Sequence, residues 1–112
     1  MTPKQKWATA VMDRCTDDQH GLPVCEVHEA IRQLYHPERA EATVMAVDPH
    51  HMIHKSQWPA GAFEVRNGCG CCRECHTILH DASPDMREVI YAAAGRDSDY
   101  LEMRRRKREA PK

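Results

Sequence analysis

The sequence predicts a small α+β domain. Its 112 residues match the length of one domain. Two short segments have the pattern of β-strands, and several longer segments have the apolar spacing of amphipathic helices. The composition includes six cysteines and eight histidines but only 5% aromatic residues. Because so short a chain buries a limited core, a bound metal or disulfides are expected to help hold it together.

The first half of the chain predicts two helices and a strand. Residues 4–14 place Trp7 on the apolar face of a short helix. Residues 29–35 predict a second helix, which ends before Pro37 because the residue preceding a proline avoids the helical conformation. Residues 42–47 form an apolar run with β-branched side chains, and this run is the best strand candidate.

The second half predicts a short strand followed by helices. Residues 63–66 are the candidate second strand, and the Asn67-Gly68 pair after them is a strong turn signal. Residues 73–79 predict a helix. The next helix is expected to begin at Ser83, an N-cap residue followed by proline, and to run to about Ala94.

The chain divides into a main domain and a charged C-terminal segment. The domain covers residues 1–94, with its motif core at 42–81, and residues 95–112 form a basic helix or tail. The block Arg104-Arg-Arg-Lys-Arg108 suits phosphate binding that does not depend on sequence. It suits equally a solvated helix end whose cations lie near the negative end of the helix dipole. The formal net charge of −1 is not the strongly basic balance of an ordinary DNA binder.

The N-terminus and the apolar runs bear on the cellular compartment. Residues 1–7 lack the apolar core of a secretory signal. No apolar run approaches the length of about 18 residues that a membrane span needs. The sequence therefore predicts no membrane partner and a reducing, cytoplasmic location, where cysteines serve as metal-bound thiolates.

The closely spaced cysteines predict a structural zinc site. Four of the six cysteines lie within residues 69–75, where their spacing disfavours disulfides among them. Cys72-x-x-Cys75 is the type of loop that wraps a tetrahedral zinc, and Cys25-x-x-His28 is the best candidate for the partner pair. The position assigned to His28 has three alternatives: Cys15, Cys69 and Cys71.

The histidines are grouped in a way that suits phosphodiester hydrolysis. Adjacent side chains on a strand point to opposite sides, so one of His50 and His51 is expected to face a metal and the other the attacking water. His76 and His80 are four residues apart, so on a helix they share a face and can hold one ion. A neutral imidazole suits the base that this reaction needs, and a divalent cation stabilises the charge that develops on the phosphate.

Other polar residues near these histidines have less specific roles. His54 is expected to contact substrate or to be a nearby polar residue, because its segment is predicted to be a strand end and loop rather than a helix. Asp48 is a further candidate metal ligand. Three basic residues flank the motif and could position a nucleic-acid backbone: Lys55, Arg66 and Arg73.

The order His51, Asn67, His76 resembles the HNH nuclease family, whose active site is the ββα-metal motif, or His-Me finger. The resemblance covers residues 12–81 and is close from Asp48 to His80. It implies that His51 is the general base, that Asn67 holds the loop or the base in place, and that the catalytic ion is bound by His50, His76 and His80. Colicin-type DNases, a branch of the family, also use a His-His pair and a His-x-x-x-His pair.

The resemblance also implies a fold, cofactors and partners. The expected fold is a ββα-metal core with flanking helices and a zinc knuckle, although zinc-bearing members more commonly use four thiolates than three with a histidine. The expected cofactors are one catalytic divalent ion (Mg, Mn, Ni or Zn) and a structural zinc. The substrate would be double-stranded DNA, cut to leave 5′-phosphate and 3′-hydroxyl ends. Small free-standing members often belong to phages or mobile elements, which implies a packaging or recombination protein as a further partner and the host cytoplasm as the location.

Two alternatives remain open at the level of sequence. The first is a non-catalytic zinc module that binds nucleic acid or a protein. A zinc ribbon needs only four ligands, so the spare histidines and Asn67 argue against it. The second alternative is the catalytic piece of a toxin-type DNase, which a companion immunity protein would identify.

Overall fold

The computed structural model describes residues 1–110 as an α+β fold with five helices and two small antiparallel sheets. The helices are α1 (Pro3–Arg14), α2 (His28–Tyr35), α3 (Arg73–Asp81), α4 (Pro84–Ala93) and α5 (Asp97–Glu109). One sheet pairs β1 (Thr16–Asp17) with β2 (Leu22–Pro23), and the other pairs β3 (Asp48–His51) with β4 (Gly68–Cys71). The predicted α+β class is confirmed.

The helices lie where their local signals predict them. Thr2 and Gln5 form a reciprocal capping box at the start of α1, with bonds of 2.8 and 3.1 Å. The Ser83 hydroxyl caps α4 by accepting from the Met86 N–H at 3.1 Å. Of the two expectations for the C-terminal segment, a helix is found as far as Glu109. The last two residues of the predicted tail, 111–112, lie outside the described part of the chain.

The first strand prediction is wrong. Residues 42–47 contain only an isolated bridge at Met45, and the strand is the segment Asp48–His51 that follows. The backbone bonds of this run are divided between two neighbours, because Ala46 donates to Pro23 and Val47 donates to Cys71. The strand preference of a residue depends on how its side chain packs against neighbouring strands. Those neighbours are distant in sequence here, so the preference of residues 42–47 alone did not locate the strand.

The second strand prediction is also wrong. Val65–Asn67 forms a 3-10 turn, and the partner strand is the glycine- and cysteine-rich segment Gly68–Cys71. Helix α1 approaches β4 so closely that Gly68 is needed there, because a Cβ on Gly68 would lie 2.2 Å from Val11 Cγ2. Gly68 also has an extended backbone, so the Asn67-Gly68 pair does not form the predicted hairpin turn.

The core lies behind the β3–β4 hairpin, between it and the last helices. Its largest fully buried side chains include Tyr91, Leu79, Ile90 and Met103. Glu26 and the buried Arg96 brace the start of β4, where Arg96 donates to the Gly68 carbonyl at 2.9 Å and Glu26 accepts from the Gly70 N–H at 2.7 Å. Over residues 1–110, no helix has the length and apolar character that crossing a membrane requires.

Candidate active site and metal centre

The β3–β4 hairpin and helix α3 bring the predicted site histidines to one place. In the strand register, His50 lies opposite Cys69 and His51 lies opposite Gly68. His50 is buried and His51 is half-buried, as alternation along a strand requires. A cleft of about 250 Å³ is lined by five histidines: His50, His51, His54, His76 and His80.

The His51 ring is held on two sides. It stacks on Trp7, with ring centroids 4.1 Å apart and planes 10° from parallel. Its Nε2 lies 2.8 Å from the Ala62 carbonyl oxygen, which can only accept, so Nε2 carries the hydrogen. In the neutral ring, Nδ1 is then the atom that can accept a proton. Burial lowers the pKa of His51, and its bond to Ala62 partly offsets that effect.

Asn67 holds the loop rather than the base. Its side chain is fully buried, and its Oδ1 accepts from the Ile53 N–H at 2.9 Å. Its Nδ2 donates to the Ile53 carbonyl at 3.0 Å and to the Gly61 carbonyl at 3.4 Å. Both ends of the loop between β3 and β4 are tied in this way, and Ala62, which orients His51, follows directly after Gly61.

His50 lies on the buried side of β3. Its Nε2 is 3.1 Å from the hydroxyl of Tyr91 in α4. Burial, followed by the charges of the neighbouring histidines, lowers the pKa of His50 to about 3, so the ring is neutral. Its ring centroid is 5.0 Å from that of His76, in an edge-to-face arrangement.

Asp48 orients His76. Its Oδ2 lies 3.1 Å from His76 Nδ1 and 3.0 Å from Arg73 Nε. A carboxylate on one ring nitrogen leaves the other directed elsewhere, which is the arrangement that commonly supports a metal-binding histidine. The His80 ring is nearly parallel to that of His76, with the two ring centroids 6.3 Å apart.

The cysteines form a second, more compact group. The sulfurs of Cys25, Cys72 and Cys75 lie within 4.8 Å of one another. Tetrahedral zinc with bonds of about 2.3 Å places its sulfur ligands about 3.8 Å apart, so small adjustments would close this group on one ion. In residues 1–110 it is the one set of three His, Cys or carboxylate ligand atoms found at such mutual distances.

The remaining candidates for the fourth ligand differ in position. His28 Nδ1 lies 3.7 Å from Cys75 Sγ, although His28 is not within reach of all three sulfurs. Cys69 and Cys71 face each other instead, with 3.8 Å between their sulfurs. Cys15 packs against Gly70, where an added Cβ would lie 2.5 Å from its sulfur. Among the described residues, His28 is the candidate whose side chain is seen in contact with a sulfur of the group.

Four features of the site have no local signal in the sequence. They are the hydroxyl of Tyr91, the indole ring of Trp7, the carbonyl of Ala62 and the carboxylate of Asp48 acting as a partner of His76 rather than as a ligand. Trp7 is recognisable from sequence as a buried residue of a helix, but its contact with His51 depends on how that helix packs. Tyr91 is 41 residues from His50 along the chain, so no spacing rule connects the two.

Comparison of the chain with models of known families, with curated proteins and with solved structures finds no match.

Proposed function

We propose that this protein is a metal-dependent endonuclease that hydrolyses DNA phosphodiester bonds with a histidine base, in the manner of the HNH enzymes. One observation carries the proposal. The His51 ring is held between Trp7 and the Ala62 carbonyl, with Nδ1 free of that bond, in a cleft that it shares with His50, His76 and His80. Histidines that merely lie on the surface would not need a stacked ring and a backbone hydrogen bond to orient one of them.

In this proposal each side chain has a separate task. Nδ1 of His51 takes the proton of the attacking water. Trp7 and Ala62 keep the ring in the orientation that this transfer needs, and Asn67 keeps the loop that carries Ala62 in place. The strand that carries His51 also carries His50, so base and metal ligand move as one rigid unit.

The imidazoles are ligands of the type that binds a divalent cation, although their nitrogens do not form a mutually close set of three. His50, His76 and His80 would hold it, and when bound it supplies a Lewis acid for the phosphate and the leaving oxygen. The 5.0 Å between the rings of His50 and His76 suits two ligands of one ion, whereas His80 would rotate to join them. A set of imidazoles favours transition metals such as Zn²⁺ or Ni²⁺ over Mg²⁺ in affinity.

The cysteine group fits a structural zinc. Cys25, Cys72 and Cys75 would supply three sulfurs, and His28, whose Nδ1 lies 3.7 Å from Cys75 Sγ, would be the fourth ligand. Cys72 is the N-cap of α3 and Cys75 lies in its first turn, directly before His76. A zinc there would anchor the helix that carries two of the proposed ligands of the catalytic ion.

Plasmid cleavage tests the proposal. Purified protein is incubated with supercoiled plasmid and with Mg²⁺, Mn²⁺, Ni²⁺ or Zn²⁺ in separate reactions. We expect metal-dependent relaxation or linearisation that is lost in His51→Ala and kept in His20→Ala, which removes an exposed histidine from outside the cleft. Equal cleavage by wild type and His51→Ala would contradict the assignment of the base.

A non-catalytic zinc module is the second candidate function. It is favoured by one observation, because the cysteines form a set of mutually close ligand atoms and the histidines do not. In that case the protein would retain about one zinc per chain and would cleave neither plasmid nor a small phosphodiester with any of the four metals. Retention of zinc together with metal-dependent cleavage would reject this candidate.

A further inference from the structure

Three neighbouring pockets, together called the cleft below, lie between the histidines and the last turns of α5. The first part of the cleft, of about 250 Å³, and its second part, of about 290 Å³, are lined in common by four histidines: His50, His51, His54 and His80. The second part shares Met52 and Gln57 with a third part of about 660 Å³, which lies against α4 and α5. The three parts are therefore adjacent to one another.

Basic side chains are concentrated along this cleft. Six of them line it: Lys4, Lys55, Arg87, Arg104, Lys107 and Arg108. The carboxylates in its lining are Asp85 and Glu88. The whole chain has 16 Lys and Arg against 17 Asp and Glu. With six cations and two carboxylates in its lining, the cleft is therefore a positive region of a slightly acidic protein. Such segregation of charge attracts a polyanion even where the net charge does not.

Ion pairs separate the basic block of α5 into two kinds of residue. The guanidinium groups of Arg104, Arg105 and Arg106 all pair with carboxylates, for example Arg106 with Glu64 at 2.8 Å. Lys107 and Arg108 are exposed, and within residues 1–110 neither has a carboxylate within 4.0 Å. Both line the third part of the cleft. They are therefore the cations of this block that are available to a ligand.

We infer that the backbone of a DNA strand follows this cleft, from the phosphate at the histidines past Arg87 to Lys107 and Arg108. The inference rests on the proposed function, which places the reacting phosphate at the histidines. From Tyr100 to Arg108, α5 rises by about 12 Å, at 1.5 Å per residue. That length equals about three and a half base-pair steps along the axis of a duplex, at about 3.4 Å each. Contacts of this kind position DNA without reading its sequence.

Charge reversal tests the path. Lys107→Glu/Arg108→Glu is compared with Lys6→Glu/Arg39→Glu, which makes the same change in net charge with two exposed residues outside the cleft. Both pairs are made in a His51→Ala background, so that bound DNA is not cut. Binding to a duplex of about 20 base pairs is measured by fluorescence anisotropy over a series of salt concentrations, starting at about 50 mM. Circular dichroism checks that both variants are folded.

We expect the Kd of the cleft variant to rise about tenfold or more at low salt. A plot of the logarithm of the association constant against the logarithm of the salt concentration has a negative slope, and we expect that slope to become less steep by about two. The control pair should change the Kd by less than about threefold, because it affects only the long-range charge. The inferred path would be overturned if both variants lost the same amount of DNA affinity, or if neither lost any. It would also be overturned if the His51→Ala protein without charge reversals did not bind the duplex.

Hydrolysis of bis(p-nitrophenyl) phosphate by the wild-type protein separates the two proposals. This small diester needs the histidines but does not extend along the cleft. If it is not hydrolysed with any metal, while DNA binding still depends on Lys107 and Arg108, the nuclease proposal fails and only the DNA contact at Lys107 and Arg108 stands. If it is hydrolysed and DNA binding ignores both residues, the path fails and the nuclease proposal stands.

Discussion

Replacement of Asn67 by aspartate is a stringent test of how the loop between β3 and β4 is held. The change keeps the shape of the side chain and keeps the oxygen that accepts from the Ile53 N–H. It replaces the NH₂ group, which donates to the carbonyls of Ile53 and Gly61, by a second oxygen. The variant therefore places a carboxyl oxygen against two acceptors in a fully buried site.

The loss of unfolding free energy in this variant depends on pH, because protonation of the introduced carboxylate would restore one hydrogen-bond donor. Burial and two carbonyl neighbours both raise the pKa of such a carboxyl above its ordinary value of about 3.9. A rise of about three pKa units corresponds to about 4 kcal/mol. In this pH range the folded state binds more protons than the unfolded state, so stability falls as pH rises from about 4 to about 7.

Urea unfolding of wild type and Asn67→Asp at about pH 5 and about pH 8 measures this effect. We compare the difference in unfolding free energy between the two proteins at each pH, because the proposed zinc site also responds to pH in both of them. The difference should be larger at the higher pH by about 2 kcal/mol or more. Asn67→Ala, which has no group to titrate, should show the same deficit at both pH values. A pH-independent deficit in Asn67→Asp would refute the buried arrangement between carbonyls.

The other predictions concern zinc and the packing of α1. Cys75→Ser should lose the zinc that wild type retains after dialysis, as measured by elemental analysis, whereas Cys15→Ser should keep it; loss from both would argue against the three-sulfur centre. Gly68→Ala should lower the unfolding free energy by about 1–3 kcal/mol, because the new Cβ would meet Val11 Cγ2 at 2.2 Å. Adding Val11→Ala should recover part of that loss in the double variant, and strict additivity would show that the contact is not its cause.

The helices were predictable because their signals are local. The Thr2 capping box and the Ser83 cap each satisfy backbone groups three residues away, so a short window of sequence contains the whole interaction. The spacing of His76 and His80 on one helix is of the same kind. The spacing does not determine how the side chains rotate, however, and the two rings are nearly parallel with their centroids 6.3 Å apart.

The strands were mispredicted because their partners are distant along the chain. Asp48-Pro-His-His and Gly68-Cys-Gly-Cys contain residues that strands usually avoid. They pair because α1 packs against the glycines of β4, and because Glu26 accepts from the backbone of Gly70. Preference scales describe a residue alone and omit these contacts.

The sequence by itself determined the helices, the α+β class and the residue types available for chemistry, because caps, periodicity and ligand spacing act over a few residues. Only the tertiary structure decided what each of those residues faces. It brought Cys25 to the Cys72–Cys75 loop and placed Trp7 against His51. Within residues 1–110 it also left Lys107 and Arg108 outside the ion pairs that hold Arg104, Arg105 and Arg106. These relations depend on the packing of elements far apart in the chain, which local sequence does not encode residue by residue.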